Sequence, residues 1–393
     1  MIGAGVFAAF TPAAAAAGSG LLVGLVVAAF VAFCNATSSA QLAAAYPTSG
    51  GTYVYGRERL GPWPGFLAGW GFVIGKTASA AAMAMTFAAY AAPPGWERPV
   101  AIAAVVLLTA VNYHGVTRTA GLTRILVIAV LAALAVAVVA CWGGSGPTLD
   151  NVLGEGLLAN GWYGILQSAG LLFFAFAGYA RIATMGEEVM EPRRTIPRAI
   201  IIALGITVVV YAVIAVTVLS ALGPDGVAGN PTPLAAAVES GTLAWASPVV
   251  RIGAAVASLG ALLALIAGLG RTSLAMAREH DLPHALAAVH PRYKVPHRAE
   301  LTIAVVICLV IVVADLRGAI GFSSFGVLLY YLVANIAAFT QPDADRRYPK
   351  VLQVLGAAAC VALVATLPPL SVALGVAMFV VGIVYRMVRL RTR

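Results

Sequence analysis

Apolar runs long enough to cross a bilayer, which takes roughly 20 residues, recur from one end of the sequence to the other. They lie near residues 1–17, 20–45, 64–92, 99–112, 119–141, 162–185, 197–222, 247–275, 299–315, 318–340, 350–367 and 370–389. The pattern predicts an all-α polytopic membrane protein with about twelve transmembrane segments, the first of them short and incomplete. The polar stretches between runs are too short to hold a soluble domain, so 1–393 reads as a single transmembrane domain.

Composition agrees, and charge adds sidedness. Of the 393 residues 61% are hydrophobic and 10% charged, against about 25% charged in soluble domains. Arg57 and Arg59; Arg118 and Arg124; Arg193, Arg194 and Arg198; Arg271, Arg278, Arg292, Lys294 and Arg298; and Arg346, Arg347 and Lys350 fall in alternate loops. The tail adds Arg386, Arg389, Arg391 and Arg393, whereas 141–161, 223–247 and 367–370 carry no Lys or Arg. Cations gathered on one side mark the cytoplasmic face of a cell membrane. An even number of crossings then puts both termini inside, provided the first helix is complete. The net charge of +9 therefore belongs to membrane loops and not to a nucleic-acid surface. Cys34, Cys141, Cys308 and Cys360 sit in or beside apolar runs, with the spacing of neither a zinc site nor a disulfide framework.

Two apolar runs carry glycine where a helix should be continuous: Ile2-Gly3-Ala4-Gly5-Val6-Phe7 and Phe173-Phe174-Ala175-Phe176-Ala177-Gly178-Tyr179. In lipid every backbone N–H and C=O needs a partner, so a loosened span must be buried in protein or face a cavity. There, N–H groups at a helix start suit a carboxylate and carbonyls at a helix end suit an ammonium. Those are the two poles of a zwitterionic amino acid. The plainer reading is close helix packing through small residues. The breaks fall in the first and sixth runs, which are equivalent if runs 1–5 and 6–10 form inverted repeats.

These residues resemble the amino acid–polyamine–organocation superfamily, in its bacterial amino acid permease branch. Ile2 to Phe7 is similar to that family's first-helix motif, and Pro47-Thr48-Ser49-Gly50-Gly51-Thr52-Tyr53 to its segment after helix two. Phe173 to Tyr179, with Gly186-Glu187-Glu188, Pro192 and Ile196-Pro197-Arg198-Ala199, resembles its helix six to seven region. Arg271, Ala275 to Arg278, Leu282-Pro283 and Val289 to Tyr293 resemble its loop after helix eight. The resemblance covers about residues 1–340, and the last two helices match in hydropathy alone. It implies a LeuT-like core of five plus five helices in inverted repeats (1–141 and 161–340), with helices 11 and 12 (341–393) peripheral. It also implies that Ile2, Gly3, Ala4 and Gly5 receive a substrate carboxylate while carbonyls around Phe174, Ala177 and Gly178 hold the amino group. Phe174 stands where relatives have an aromatic lid, and Tyr179, just past the break, would share in gating. Relatives carry roughly half a helix ahead of the glycine motif, so the expectation is an N-terminal truncation, with Met1 an internal residue. Some proton-coupled members have a lysine in helix five where this chain has Val130, so that coupling route is not expected here. No carboxylate cluster supports sodium coupling.

Lys76 stands in the middle of its span. A lysine at mid-bilayer costs about 2.5–3.5 kcal/mol on insertion scales, so it should face the bundle interior or water. Burial disfavours the charged ammonium, so Lys76 is a candidate for proton exchange or for attracting a substrate carboxylate. The alternative is a structural bond to backbone carbonyls. A cation here disfavours arginine-like and polyamine substrates. Glu187 and Glu188, near Arg193, Arg194 and Arg198, are candidates for a cytoplasmic gate or for a solvated loop. Arg181 should extend to the cytoplasmic face and Arg251 should snorkel at the outer end of helix eight. His280 and His284 are four apart, but no thiolate or third helical ligand accompanies them, so no metal is expected. No phosphate-binding loop or zinc-protease motif occurs, so neither a cofactor nor an ATP-driven cycle is expected.

Two function classes remain. The first is a secondary transporter of amino acids working by alternating access, driven by proton symport or by amino acid exchange, with the lipid bilayer and the substrate as partners. The second is a membrane amino acid sensor or an intramembrane enzyme. An enzyme needs paired catalytic groups at membrane depth, and Lys76 has no acidic partner in the sequence pattern. A sensor ordinarily carries a soluble output domain.

Overall fold

The computed structural model describes residues 2–47, 50–115, 120–143, 148–153, 156–179, 189 and 191–391, without the side chains of 120–123 and 179. The regular structure among these residues is helical. It opens with α1 (Gly5–Ala8) and α2 (Phe10–Ala17), joined through a bend at Ala9, and a 3-10 turn at Gly18–Gly20 leads into α3 (Leu21–Ala45). Next come α4 (Thr52–Leu60), α5 (Pro62–Ala91), α6 (Glu97–Tyr113), α7 (Ala120–Trp142) and α8 (Leu149–Leu153). The second half runs α9 (Gly161–Phe176), α10 (Pro192–Ala228), α11 (Pro233–Glu239), α12 (Ser247–Arg278), α13 (His297–Val313) and α14 (Leu316–Phe339). The last two helices are α15 (Lys350–Thr366) and α16 (Pro369–Arg391).

Seven stretches among the described residues are long and apolar enough to cross a membrane. One of them, Phe10–Ala45, takes in two of the runs expected from sequence. The runs near 99–112, 162–185, 299–315 and 350–367 form helices of 16 or 17 residues. The run at 162–185 is cut short because α9 stops at Phe176 and a 3-10 turn, Ala177–Tyr179, follows. In α10 the regular helix is interrupted at Gly223, whose φ of 66° and ψ of 171° are followed by Pro224. Glycine tolerates that backbone, and proline cannot continue the hydrogen-bond ladder, so the apolar run ends there as expected.

Large apolar side chains such as Val26, Leu107, Ile125, Ile202, Leu309 and Val313 are exposed on the outer helix faces, as lipid contact requires. Lipid removes most of the hydrophobic drive between helices, so close backbone approach and polar contacts hold the bundle. The seam between α5 and α14 is built on glycine: a Cβ on Gly326 would lie 2.6 Å from the Gly71 carbonyl oxygen, and one on Gly75 3.0 Å from that of Ser323. The Ser79 and Ser323 hydroxyls meet at 2.5 Å along the same seam. Asn335 of α14 donates to Asn35 Oδ1 of α3 at 2.6 Å and accepts from the Ser38 hydroxyl at 2.7 Å.

Candidate functional site

Both interrupted segments face one cavity of about 220 Å³. Ile2 to Gly5 form one wall, and Phe174, Ala175, Ala177 and Gly178 another. Helix α5 contributes Phe72, Lys76, Ser79 and Met83, whose spacing of four, three and four is one helix face. Leu126, Val127 and Val130 come from α7. Helix α12 presents Val256, Ala257, Gly260, Ala261, Ala264, Leu265 and Gly268, a stripe of mostly small residues that gives the cavity its room. A larger groove of about 670 Å³ lies against α6, but its lining of Pro99, Ile102, Ala103, Val106 and Leu107 beside Arg98 is lipid-facing surface.

The carbonyl end of α9 is already engaged from two directions. The last four C=O groups of a helix lack intrahelical partners and carry the negative end of its dipole. Tyr211 of α10 donates its hydroxyl to the Ala175 oxygen at 3.0 Å. The Lys76 ammonium, 6% exposed, donates to the Ala177 oxygen at 3.0 Å. On the other wall, Tyr90 donates to the Phe7 oxygen at 3.1 Å and meets the Phe7 ring edge-on. Gly5 has a packing reason for being glycine, because a Cβ there would lie 2.6 Å from the Ala175 Cα. Gly3 is under less pressure, with the Ala261 Cβ at 3.3 Å.

Among the residues singled out in the sequence, Ile2, Gly3, Ala4, Gly5, Lys76, Phe174, Ala177 and Gly178 all line this cavity. Val130 lines it too. The Tyr179 backbone belongs to the 3-10 turn, but its side chain lies outside the described residues, as do Arg181, Glu187 and Glu188. Arg251 does not simply snorkel: it pairs with Glu239 of α11 at 3.0 Å. The Ser247 hydroxyl, 2.5 Å from the Glu239 carboxylate, together with Arg251, holds that carboxyl below the usual carboxylate range. The His280 and His284 rings stack at 5.3 Å.

A second polar cluster escaped the sequence reading. Asp281, in the loop after α12, accepts from Arg386 of α16 at 2.6 Å, from Tyr53 of α4 at 2.8 Å and from Arg57 at 3.0 Å. Arg57 also pairs with Glu279 at 2.8 Å. Arg386, counted from the sequence among the tail cations that mark the cytoplasmic face, is buried against the Trp63 and Phe66 rings, 4.9 and 4.7 Å from their centroids. Burial and the neighbouring Asp281 carboxylate push the Tyr53 phenol above its ordinary range. The available signal was Arg386 itself, a charge set within an apolar helix.

Comparison with known proteins places the chain. A family model described as amino acid permease matches residues 1–390, so the likeness extends over the last two helices, beyond the limit near residue 340 set by the sequence motifs. An uncharacterized transporter of Mycobacterium tuberculosis is 58% identical, over 100% of this chain and 89% of that protein. A branched-chain amino acid permease of Bacillus subtilis is 25% identical, over 88% of this chain and 80% of its own length. A chloroplastic cationic amino acid transporter of Arabidopsis thaliana is 26% identical, over 89% of this chain and 64% of its own. The chain belongs to the amino acid permease family of the amino acid–polyamine–organocation superfamily. It is a multi-pass membrane transporter, not an enzyme.

Proposed function

We propose that this protein is a secondary transporter of neutral amino acids in the cell membrane, carrying substrate by alternating access through the cavity between α1 and the end of α9. The observation that carries the reading is the meeting of both interrupted segments at one cavity. The amide end at Gly3, Ala4 and Gly5 suits a carboxylate and the carbonyl end at Ala177 and Gly178 suits an ammonium. Phe174, lining the cavity between them, is the gating aromatic. The two segments fall in the first and sixth apolar runs, as an inverted-repeat core of 1–141 and 161–340 with α15 and α16 outside it would have them.

Substrate charge follows from the lining. Among the described residues Lys76 is the charged side chain of the wall, which is otherwise apolar apart from Ser79. A cation in a low-dielectric cavity repels arginine-like substrates, while Phe72, Met83, Leu126, Val130, Val256 and Leu265 suit an apolar side chain. The similarity to a branched-chain amino acid permease agrees with this, and the similarity to a cationic transporter makes the choice testable. In a thermal-stability screen of the purified protein against the twenty common amino acids, L-leucine, L-isoleucine or L-valine should raise the melting temperature and L-arginine should not. Stabilisation by L-arginine and L-lysine alone would contradict the neutral-substrate reading.

A further inference from the structure

We infer that the Lys76 ammonium and the ammonium of an amino acid substrate are alternative occupants of the carbonyl end of α9, so that the transporter exchanges substrate for a proton. The inference rests on the amino acid reading above and specifies its drive.

The terminal carbonyls of α9 are where a substrate ammonium would be stabilised. One of them, Ala175 O, is committed to the Tyr211 hydroxyl. Ala177 O receives Lys76 Nζ from a different helix at 3.0 Å. Lys76 thus sets a cation at the place the substrate's cation needs. Nothing nearby neutralises a second one: among the described residues, the cavity lining from α1, α5, α7, α9 and α12 contains no Asp or Glu. The charged groups on the packed helices α7, α12 and α13, among them Arg124, Arg251, Arg271 and the buried Glu300, lie outside the cavity lining, and the phenols have partners of their own. Tyr90 is bonded to the Phe7 oxygen and Tyr211 to the Ala175 oxygen. On α14, Tyr330 packs against Phe72 and accepts from the Thr52 N–H, and Ser323 holds Ser79. Two unit cations sharing one carbonyl end in a cavity lined mostly by apolar residues repel each other.

Substrate and proton therefore destabilise each other on the protein, and that coupling is reciprocal. When a zwitterion binds, Lys76 passes from ammonium to amine and releases one proton to water on the side to which the cavity is open. The amine lone pair then accepts a hydrogen bond from the substrate ammonium. When the substrate leaves, Lys76 takes one proton back and returns to the Ala177 oxygen. The cavity holds one cation at each stage. If the loaded form crosses without the Lys76 proton and the unloaded form crosses with it, one amino acid moves one way for each proton moving the other. With protons driven inward, the protein exports amino acid. This is the opposite direction to proton symport.

The test uses the full chain in liposomes with a pH-sensitive dye in the lumen, the membrane potential clamped and labelled L-leucine added outside. The expected result is a lumen that becomes more alkaline as leucine enters. Acidification, or leucine movement with no pH change, overturns the inference while leaving amino acid transport standing. Failure of L-leucine and of the other nineteen amino acids to move overturns the transport reading itself. Binding gives a second measurement. L-leucine affinity in wild type should rise about tenfold per pH unit while Lys76 is protonated, with proton release seen as a buffer-dependent binding heat. Lys76→Arg, which keeps its charge, should bind L-leucine at least about tenfold more weakly than Lys76→Met, and Lys76→Met should lose the pH dependence. A purely structural lysine would leave the wild-type pH dependence in both variants, and that result overturns the assignment.

Discussion

At the scale of single residues, three positions in the cavity wall are under different constraints. Gly5 touches the α9 backbone, so even a methyl group forces the two segments apart. Gly5→Ala should destabilise by roughly 1–3 kcal/mol, the usual range for overpacking. Gly3→Ala, facing only the Ala261 methyl, should cost less, and melting temperatures of the two variants check the order. Phe174, 6% exposed, lines the cavity. Truncation to Ala removes apolar contact of order 1.5–3 kcal/mol, so Phe174→Ala should weaken L-leucine binding by at least tenfold, as read by calorimetry. Unchanged affinity would remove Phe174 from the site. Lys76 was visible in the sequence as a charge in an apolar run, but its acceptor was not. Ala177 lies 101 positions away, and a chain's own pattern does not say which distant carbonyl a lysine will reach.

At the scale of elements, the break in α9 was legible because Gly178 follows a run of aromatics, yet the helix ends two residues earlier, at Phe176. Local chemistry announces a break, whereas its position depends on the side chains that satisfy the freed carbonyls, here Tyr211 and Lys76. Gly223-Pro224 fixed the end of the α10 run in the sequence because its cause is wholly local. The cavity-lining stripe of α12 was also present as small residues at helical spacing, Ala257, Ala261, Ala264 and Gly268, but small residues equally mark packing seams. The α5–α14 seam shows that second use. Gly326→Val should push α14 off α5 and displace the helix that carries Lys76, lowering the melting temperature and L-leucine transport together. Gly268→Val, with no atom within 4 Å of its would-be Cβ, should keep the fold. Equal destabilisation by both would show that the glycine seam is not what holds α5 in place.

At the scale of the whole molecule, the twelve apolar runs and the alternating cations predicted a helical bundle with loops gathered by charge. The structure brings α4, the loop after α12 and the end of α16 together around Asp281. Removing one partner of a buried ion pair leaves an uncompensated charge, at a cost of about 3–5 kcal/mol. Asp281→Asn should therefore melt well below wild type, and Glu279→Gln, at the exposed Arg57 contact, should shift stability by less than about 1 kcal/mol. Asp281 was not legible in advance, since an acid in a histidine-rich loop looks like ordinary solvated charge until the last helix delivers Arg386 to it.

In the function proposed above, the cavity joining α1 to the end of α9 carries an amino acid across the membrane. Counterflow tests it most directly: liposomes bearing the protein are loaded with unlabelled L-leucine and diluted into a trace of labelled L-leucine. Label should accumulate transiently above equilibrium, an accumulation abolished by excess external L-leucine and left in place by excess L-arginine. Label that never exceeds that in protein-free liposomes, with L-leucine and with each of the other common amino acids in turn, would contradict the proposed function.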